Sequence, residues 1–243
     1  MPASPAQRVK HLRQEIERHN RLYYIEARPE ITDHEYDALM KELIDLEKAH
    51  PELASSDSPS QRVGGEPLEG FKTVEHLVPM MSIDNTYDEA EVRAFDERCR
   101  KTLGAQPRYV LEEKVDGVAV NLRYEKGLLV LAATRGDGKR GDDITTNART
   151  IHDIPLRLHE QAKTPALMEI RGEIFMFNAD FAKMNEKREE AGDETFANPR
   201  NATAGTLKQL DSKAVAQRRL RFMSHGVGQI ENIPVDCYWD WLT

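Results

Sequence analysis

Cysteine is almost missing from this sequence: Cys99 and Cys237 are the only two in 243 residues. Neither a disulfide framework nor a four-cysteine zinc site can be built from them. A reducing compartment fits that usage, and the expectation is a cytoplasmic protein. Long apolar runs are missing too. The stretch from Met1 to Arg13 interleaves Arg8, Lys10 and Arg13 with isolated apolar residues, whereas a secretory signal needs an apolar run of about 7–15 residues. No segment has the composition of a membrane span, and there is no internal repeat or low-complexity tract. With 14 glycines and 12 prolines, collagen is excluded. What is present is 39% apolar and 31% charged residues, 34 basic against 42 acidic, for a net charge of −8. That is the composition of a well-solvated globular protein of one large domain or two modest ones.

The first fifty residues are patterned for helices. Val9, Leu12, Ile16 and Tyr23 recur at spacings of three, four and seven, which predicts an amphipathic helix over Ala6–Ala27. Thr32-Asp33-His34-Glu35 has the Thr-x-x-Glu form of a capping box, so a second helix is expected to start at Asp33. Its apolar stripe is Tyr36, Leu39, Met40, Leu43 and Leu46, and Pro51 ends it because the proline ring clashes with a preceding turn. Residues 51–79 are rich in Pro, Gly and Ser and read as a connector. Residues 1–70 hold nine basic and fourteen acidic side chains, net −5, a charge that repels a nucleic-acid backbone. A domain boundary is therefore placed there, with units 1–70 and 71–243. Asp88 and Glu91 open a third helix that Gly104 closes.

Beyond Gly104 the apolar period drops to two. Val118, Val120, Leu122 and Tyr124 alternate with Ala119, Asn121 and Arg123, the mark of a half-buried strand. Glu125-Lys126-Gly127 is turn material, and Leu128–Thr134 is the returning strand of a hairpin. Further strands are expected at Tyr109–Lys114, Glu169–Phe175 and Leu220–Val227, with a helix from Asn178 to about Gly192. Helices first, then strands with intervening helices, give an α+β fold with mainly antiparallel pairing.

Lys114-Val115-Asp116-Gly117 ends one predicted strand just before the next, where a side chain can project from a rigid sheet into a cleft. Lysine attacks only as the free amine, and an unperturbed pKa of about 10.4 keeps it protonated at neutral pH. A site that uses it must lower that value with nearby cations or desolvation. Taken alone, the tetrapeptide is a weak signal and fits a solvated hairpin lysine better.

The tetrapeptide has company. Asp33-His34-Glu35-Tyr36-Asp37, Met81-Ser82-Ile83-Asp84-Asn85, Ala133-Thr134-Arg135-Gly136-Asp137-Gly138, Arg171-Gly172-Glu173 and Phe196-Ala197-Asn198-Pro199-Arg200-Asn201 flank it in order. With these six blocks, from the first helix to at least Val227, the chain resembles the N-terminal adenylation region of bacterial NAD-dependent DNA ligases. The resemblance implies a helical hairpin subdomain that recognises nicotinamide mononucleotide (NMN), followed by an antiparallel nucleotidyltransferase core of ATP-grasp-like type. It implies that Lys114 attacks the adenylyl phosphorus of NAD, forming lysyl-AMP and releasing NMN. AMP then passes to a 5′-phosphate at a nick in double-stranded DNA, and the strand is sealed. Magnesium is expected, held partly by waters and phosphate oxygens; the sequence names no secure metal ligand.

The same resemblance assigns the remaining residues. Glu112 matches the acid that contacts adenine, for which a plain edge-strand acid is the alternative. Glu173 matches the ribose-hydroxyl acceptor, against a structural salt bridge. Arg135 matches a nucleotide-binding arginine whose approach Gly136 and Gly138 leave open. Ser82 and Ile83 match a short cofactor-contacting segment. The block Asp33, His34, Glu35, Tyr36 and Asp37 matches the NMN-binding helix, and Tyr23 a further stacking residue. Asp33, Tyr36 and Asp37 share one helix face, where a ring and carboxylates suit a cationic nicotinamide.

Three departures from the family pattern stand out. Tyr24 and Lys208 replace a histidine and an arginine that are common in the family, and lysine loses the bidentate fork. The family's later Asp-Gly-Val-Val-x-Lys block, oligonucleotide-binding barrel, zinc module, helix-hairpin-helix repeats and terminal partner domain have no counterpart before the chain stops at Thr243. A truncated core is therefore expected, monomeric and unable to seal nicks alone. Segment 198–221 carries six cations against one acid, net +5, which can touch DNA phosphates weakly or be a solvated helix face. Two other readings stay open: a non-catalytic NAD or NMN-binding module, and an ATP-dependent nucleotidyltransferase.

Overall fold

The computed structural model describes residues 4–24, 28, 30–63, 69–158, 164–231 and 238–239; the side chains of Tyr23, Tyr24, Asp33 and Val63 fall outside the described set. Helix α1 (Pro5–Tyr24) and helix α2 (Asp33–Ala49) pack as an antiparallel pair. Val9, Leu12, Ile16 and Leu43 form their buried seam, and Tyr36, Leu39, Met40, Leu46 and Leu53 flank it. The predicted capping box is present: the Thr32 hydroxyl accepts from Glu35 N, and Glu35 Oε2 accepts from Thr32 N at 2.8 Å. Arg8 forms a two-pronged bond to Glu42 across the pair, at 2.6 and 2.5 Å. The expectation that α1 reaches Ala27 falls on residues outside the described set.

The segment after α2 is more structured than a connector. It holds two 3-10 turns, Pro51–Leu53 and Pro59–Val63. The hydroxyls of Ser58 and Ser60 donate to the buried Glu47 carboxylate, which Arg13 also engages. On the far side, Arg62 donates to the carbonyls of Arg149, Ile151 and Ile154 at 3.2, 2.9 and 3.0 Å. Polar side chains thus bridge the helical arm to the body of the chain, which a reading of apolar periodicity misses.

The body contains β1 (Thr73–Glu75), α3 (Glu89–Leu103), β2 (Val118–Glu125), β3 (Leu128–Thr134), β4 (Arg140–Asp142) and α4 (Thr145–Ala148). There follow β5 (Leu167–Met176), α5 (Asn178–Ala191), α6 (Pro199–Leu207), α7 (Ser212–Ala216) and β6 (Leu220–Ile230). Four strands form an antiparallel sheet in the order β3-β2-β5-β6, and β1 pairs with β4 in a separate ribbon. Lys126 and Gly127, both at positive φ (49° and 79°), make the tight β2–β3 turn whose twist matches the strands. One face of the sheet is the core: Val120, Leu122, Tyr124, Ile174 and Met176 pack on Ile144, Ile154, Leu207 and Val215. The buried Tyr124 hydroxyl donates to Pro155 O at 2.9 Å.

The strand expected at Tyr109–Lys114 is not formed; residues 106–116 have no ladder partner among the described residues. Leu111 is 94% exposed, so this segment contributes no apolar face for a neighbouring strand to cover. The helix ending at Gly192 is as expected, with Gly192 in the left-handed conformation at φ 75°. Helix α3 also forms as expected, from an Asp88 cap to a left-handed Gly104, although none of its residues is buried.

Candidate functional site

The sheet face opposite the core carries the alternates Ala119, Asn121 and Arg123 of β2 and Glu169, Arg171 and Glu173 of β5, all but the alanine polar, in register as Ala119–Glu173, Asn121–Arg171 and Arg123–Glu169. Lys114 lies four residues before β2, in the segment that leads onto this sheet. Gly117 makes the entry possible: a Cβ there would sit 2.2 Å from Ile174 O, so only glycine lets the chain turn onto β5. Lys114 itself is exposed and has no hydrogen bond or ion pair among the described residues. Its neighbour Asp116 lies 3.4 Å from Arg200 Nη1, at the start of α6, where Asn198 caps the first turn by accepting from Asn201 N at 2.8 Å.

Glu112 and Glu173 come together through two residues not picked out from sequence. Glu112 Oε2 accepts from the Tyr238 hydroxyl at 2.8 Å, and the same hydroxyl lies 3.1 Å from His225 O. The His225 ring faces Glu173 at 3.8 Å. Burial, then the bond to Glu112, pushes the Tyr238 phenol up to about 12. Glu173 foremost, with Glu112 as a weaker neighbour, raises His225 above its ordinary value against the opposing effect of burial. His225 lies in an exposed run of β6 with Met223 and Ser224, and neither it nor Tyr238 carried a signal in the sequence.

Arg135 follows β3 in a tight turn. Its Nη1 donates to Ser82 Oγ at 3.1 Å, which joins two of the residues singled out from sequence. Backbone N–H groups of Lys139 and Arg140 donate to Asp137 Oδ1 at 2.8 and 2.7 Å, holding the turn and lowering the Asp137 pKa. Ile83, by contrast, is 77% exposed and touches none of this cluster through a polar contact.

On the arm, Tyr36 donates to Asn20 Oδ1 at 2.8 Å, so its ring is anchored from α1 by a residue the stacking argument overlooked. Glu35 is engaged by Thr32, whose backbone N–H and hydroxyl hold its carboxyl below the usual range. His34 and Asp37 are exposed. The expectations for Tyr23 and Asp33 concern side chains outside the described set. No hydrogen bond or ion pair among the described residues joins His34, Glu35 or Asp37 to Lys114. Nor do the described residues contain a group of three His, Cys, Asp or Glu side chains placed to hold a metal ion. None of the described helices is long and apolar enough to cross a membrane.

Two family models match the chain: "DNA ligase-like, N-terminal NAD+-binding domain" over residues 2–64 and "NAD-dependent DNA ligase adenylation domain" over residues 68–242. Among curated relatives, the DNA ligase of Thermotoga neapolitana is 51% identical over all 243 residues, and that of Fervidobacterium nodosum is 54% identical over 236 residues, 97% of the chain. The DNA ligase of Brevibacillus brevis is 51% identical over 236 residues. The chain spans about a third of these relatives, 34%, 34% and 35% of their lengths.

Proposed function

The chain belongs to the NAD-dependent DNA ligase adenylation-domain family, and from that premise we propose that Lys114 is the nucleophile that takes AMP from NAD. The Lys114 Nζ lone pair forms a bond to the adenylyl phosphorus, the bond from that phosphorus to the bridging oxygen breaks, NMN leaves with the electron pair, and the amine proton passes to water. Phosphoryl transfer of this kind rests on in-line positioning and charge neutralisation. Glu112 and Glu173 are the acceptors for the adenine amine and a ribose hydroxyl, Arg135 with Ser82 takes the polar edge of the nucleotide, and Ile83 flanks it. The α2 face of Asp33, Tyr36 and Asp37, with His34, Glu35 and Tyr23 beside it, is proposed to bind the NMN half. We assign residues 1–70 to that recognition unit and 71–243 to the nucleotidyltransferase core.

The observation that supports this reading is the pair of links by which Tyr238 and His225 bring Glu112 and Glu173 together, with Arg135 bonded to Ser82 at the end of β3. The described residues do not build a protein cage for magnesium, so no step is assigned to a metal. The relatives' printed name, DNA ligase, supports nicked duplex as the acceptor of AMP, with roles in replication and repair and a monomeric, cytoplasmic protein as part of the same proposal. Incubation with NAD and magnesium followed by intact-mass measurement tests it. A covalent AMP adduct absent from Lys114→Ala is the expected result, and an adduct that survives this substitution overturns the assignment.

A second reading has one observation in its favour: Lys114 is exposed, with no hydrogen bond or ion pair among the described residues. A nucleotide-binding module without turnover then results. Saturable NAD binding with no adduct selects it, and preference for ATP over NAD selects an ATP-dependent nucleotidyltransferase instead.

A further inference from the structure

The segment 76–82 runs as a strap across the polar face of the sheet and ends on Ser82. Apolar burial does little to fix its course: Leu77 is 50% and Met81 84% exposed, and only Met80, at 6%, is buried. Polar contacts hold it instead. Backbone N–H groups of His76 and Met80 donate to Lys139 O and Gly138 O at 2.9 and 2.8 Å. Gly138 has φ 93°, and a Cβ there would lie 2.8 Å from Met80 O, so strap and turn are in the closest contact that their backbones permit.

Two side chains complete the attachment. The His76 ring nitrogen Nε2 is 3.2 Å from Arg135 O. A carbonyl only accepts, so this nitrogen must carry the proton. Arg135 N in turn donates to Ala119 O at 2.9 Å, which ties the arginine's backbone at both ends. From the sheet side, Arg171 Nη2 donates to Val78 O at 2.6 Å in the middle of the strap. Among the described residues, Arg171 Nε is buried with no partner, as are both amide atoms of Asn121, its register neighbour on β2. Arg171 thus leaves a donor of its own unsatisfied, a cost of burial, while its terminal nitrogen grips the strap.

We infer that His76 and Arg171 are positioning residues of the nucleotide pocket. By clamping the strap at two points they bring Ser82 Oγ to the Arg135 guanidinium and hold that guanidinium in one orientation before nucleotide arrives. The inference rests on the assignment of Ser82 and Arg135 to NAD made above. Neither residue touches the reacting atoms. Each acts by limiting the freedom of groups that do, so their loss raises the ordering cost of binding.

The test uses the 243-residue chain with NAD as the probe, and isothermal titration, thermal unfolding and the adenylation assay as readouts. His76→Phe keeps bulk and removes the donor; His76→Gln keeps a donor that reaches the same carbonyl. His76→Phe and Arg171→Leu are expected to weaken NAD binding by about five- to tenfold, the worth of one buried hydrogen bond. His76→Gln is expected to recover most of that loss. KM for NAD is expected to carry the change, with kcat altered less, and nitrogen-resolved NMR to find the His76 proton on Nε2. Wild-type affinity in His76→Phe overturns the inference, and so do equal losses in His76→Phe and His76→Gln that track a fall in unfolding temperature. Failure of the unsubstituted chain to bind NAD overturns the reading of the pocket itself, and this inference with it.

Discussion

Arg200 Nη1 stands 3.4 Å from Asp116 Oδ1, so the first turn of α6 is charge-paired with the tetrapeptide that carries Lys114. Both side chains are well exposed, at 59% and 75%. An ion pair in water contributes about 0–1 kcal/mol to stability, so the pairing has little structural value. What it does is place a cation beside the proposed phosphoryl-transfer site.

Arg200→Ala is therefore expected to leave the unfolding midpoint nearly unchanged while slowing adduct formation by about ten- to a hundredfold, the loss of one charge-assisted contact to phosphate. Arg200→Lys, which keeps charge but not the fork, is expected to fall between. Calorimetry and the time course of adduct formation measure the two effects separately. A large drop in midpoint with unchanged adduct formation would refute the role.

His225 and Glu173 give a pH prediction with a definite sign. Glu173 raises the folded-state pKa of His225 above its unfolded value of about 6.5. The contribution to stability is thus complete below about pH 6.5 and is lost as pH rises through the raised folded-state value. The stability difference between the unsubstituted chain and Glu173→Gln is expected to be larger at pH 5.5 than at pH 8.5. NMR titration of the His225 ring is expected to show its midpoint falling in Glu173→Gln. An unmoved midpoint would mean that the 3.8 Å approach has no electrostatic consequence.

Glu35 has two candidate roles that substitution can separate. Its carboxylate accepts from the Thr32 backbone N–H and hydroxyl in the capping box, satisfying a donor that the helix leaves free. Glu35→Gln keeps the box geometry and is expected to be near neutral for both stability and NAD affinity. Glu35→Ala is expected to lower the unfolding midpoint modestly, because the Thr32 N–H loses its acceptor. Loss of NAD affinity in Glu35→Gln without loss of stability would instead make the carboxylate a direct ligand.

These residues also mark how far the sequence was legible. Thr32-x-x-Glu35, the alternation from Val118 to Tyr124 and the closing glycines Gly104 and Gly192 are local signals, and each produced the element expected. Tyr109–Lys114 has strand-like composition, but a strand exists only with a hydrogen-bonding neighbour, and the sheet order places none beside it. The pairings Asp116–Arg200, Glu112–Tyr238 and His76–Arg135 span 84, 126 and 59 residues of sequence. Motif blocks can name such residues, but only the topology determines which of them meet.

The basic stretch 198–221 closes the set with a prediction about salt. Its formal +5 overstates what is free to meet a phosphate backbone. Arg200 is paired with Asp116, Arg218 donates to Thr206 Oγ1 at 2.7 Å, and Arg221 is bound to Asp153 at 2.6 Å. Lys208, Lys213 and Arg219 are left without such partners among the described residues. Each neutralised phosphate contributes about −0.9 to the slope of log affinity against log salt. Binding to a nicked duplex is thus expected to be weak, with a slope of about −3, not the steeper value that all six cations would give. Fluorescence anisotropy across a salt series measures it. Alanine at Lys208, Lys213 or Arg219 is expected to make the slope shallower by about one each, whereas Arg221→Ala is expected to reduce stability and leave the slope alone. A slope near zero, or one unaffected by the three substitutions, would place the DNA contact elsewhere on the chain.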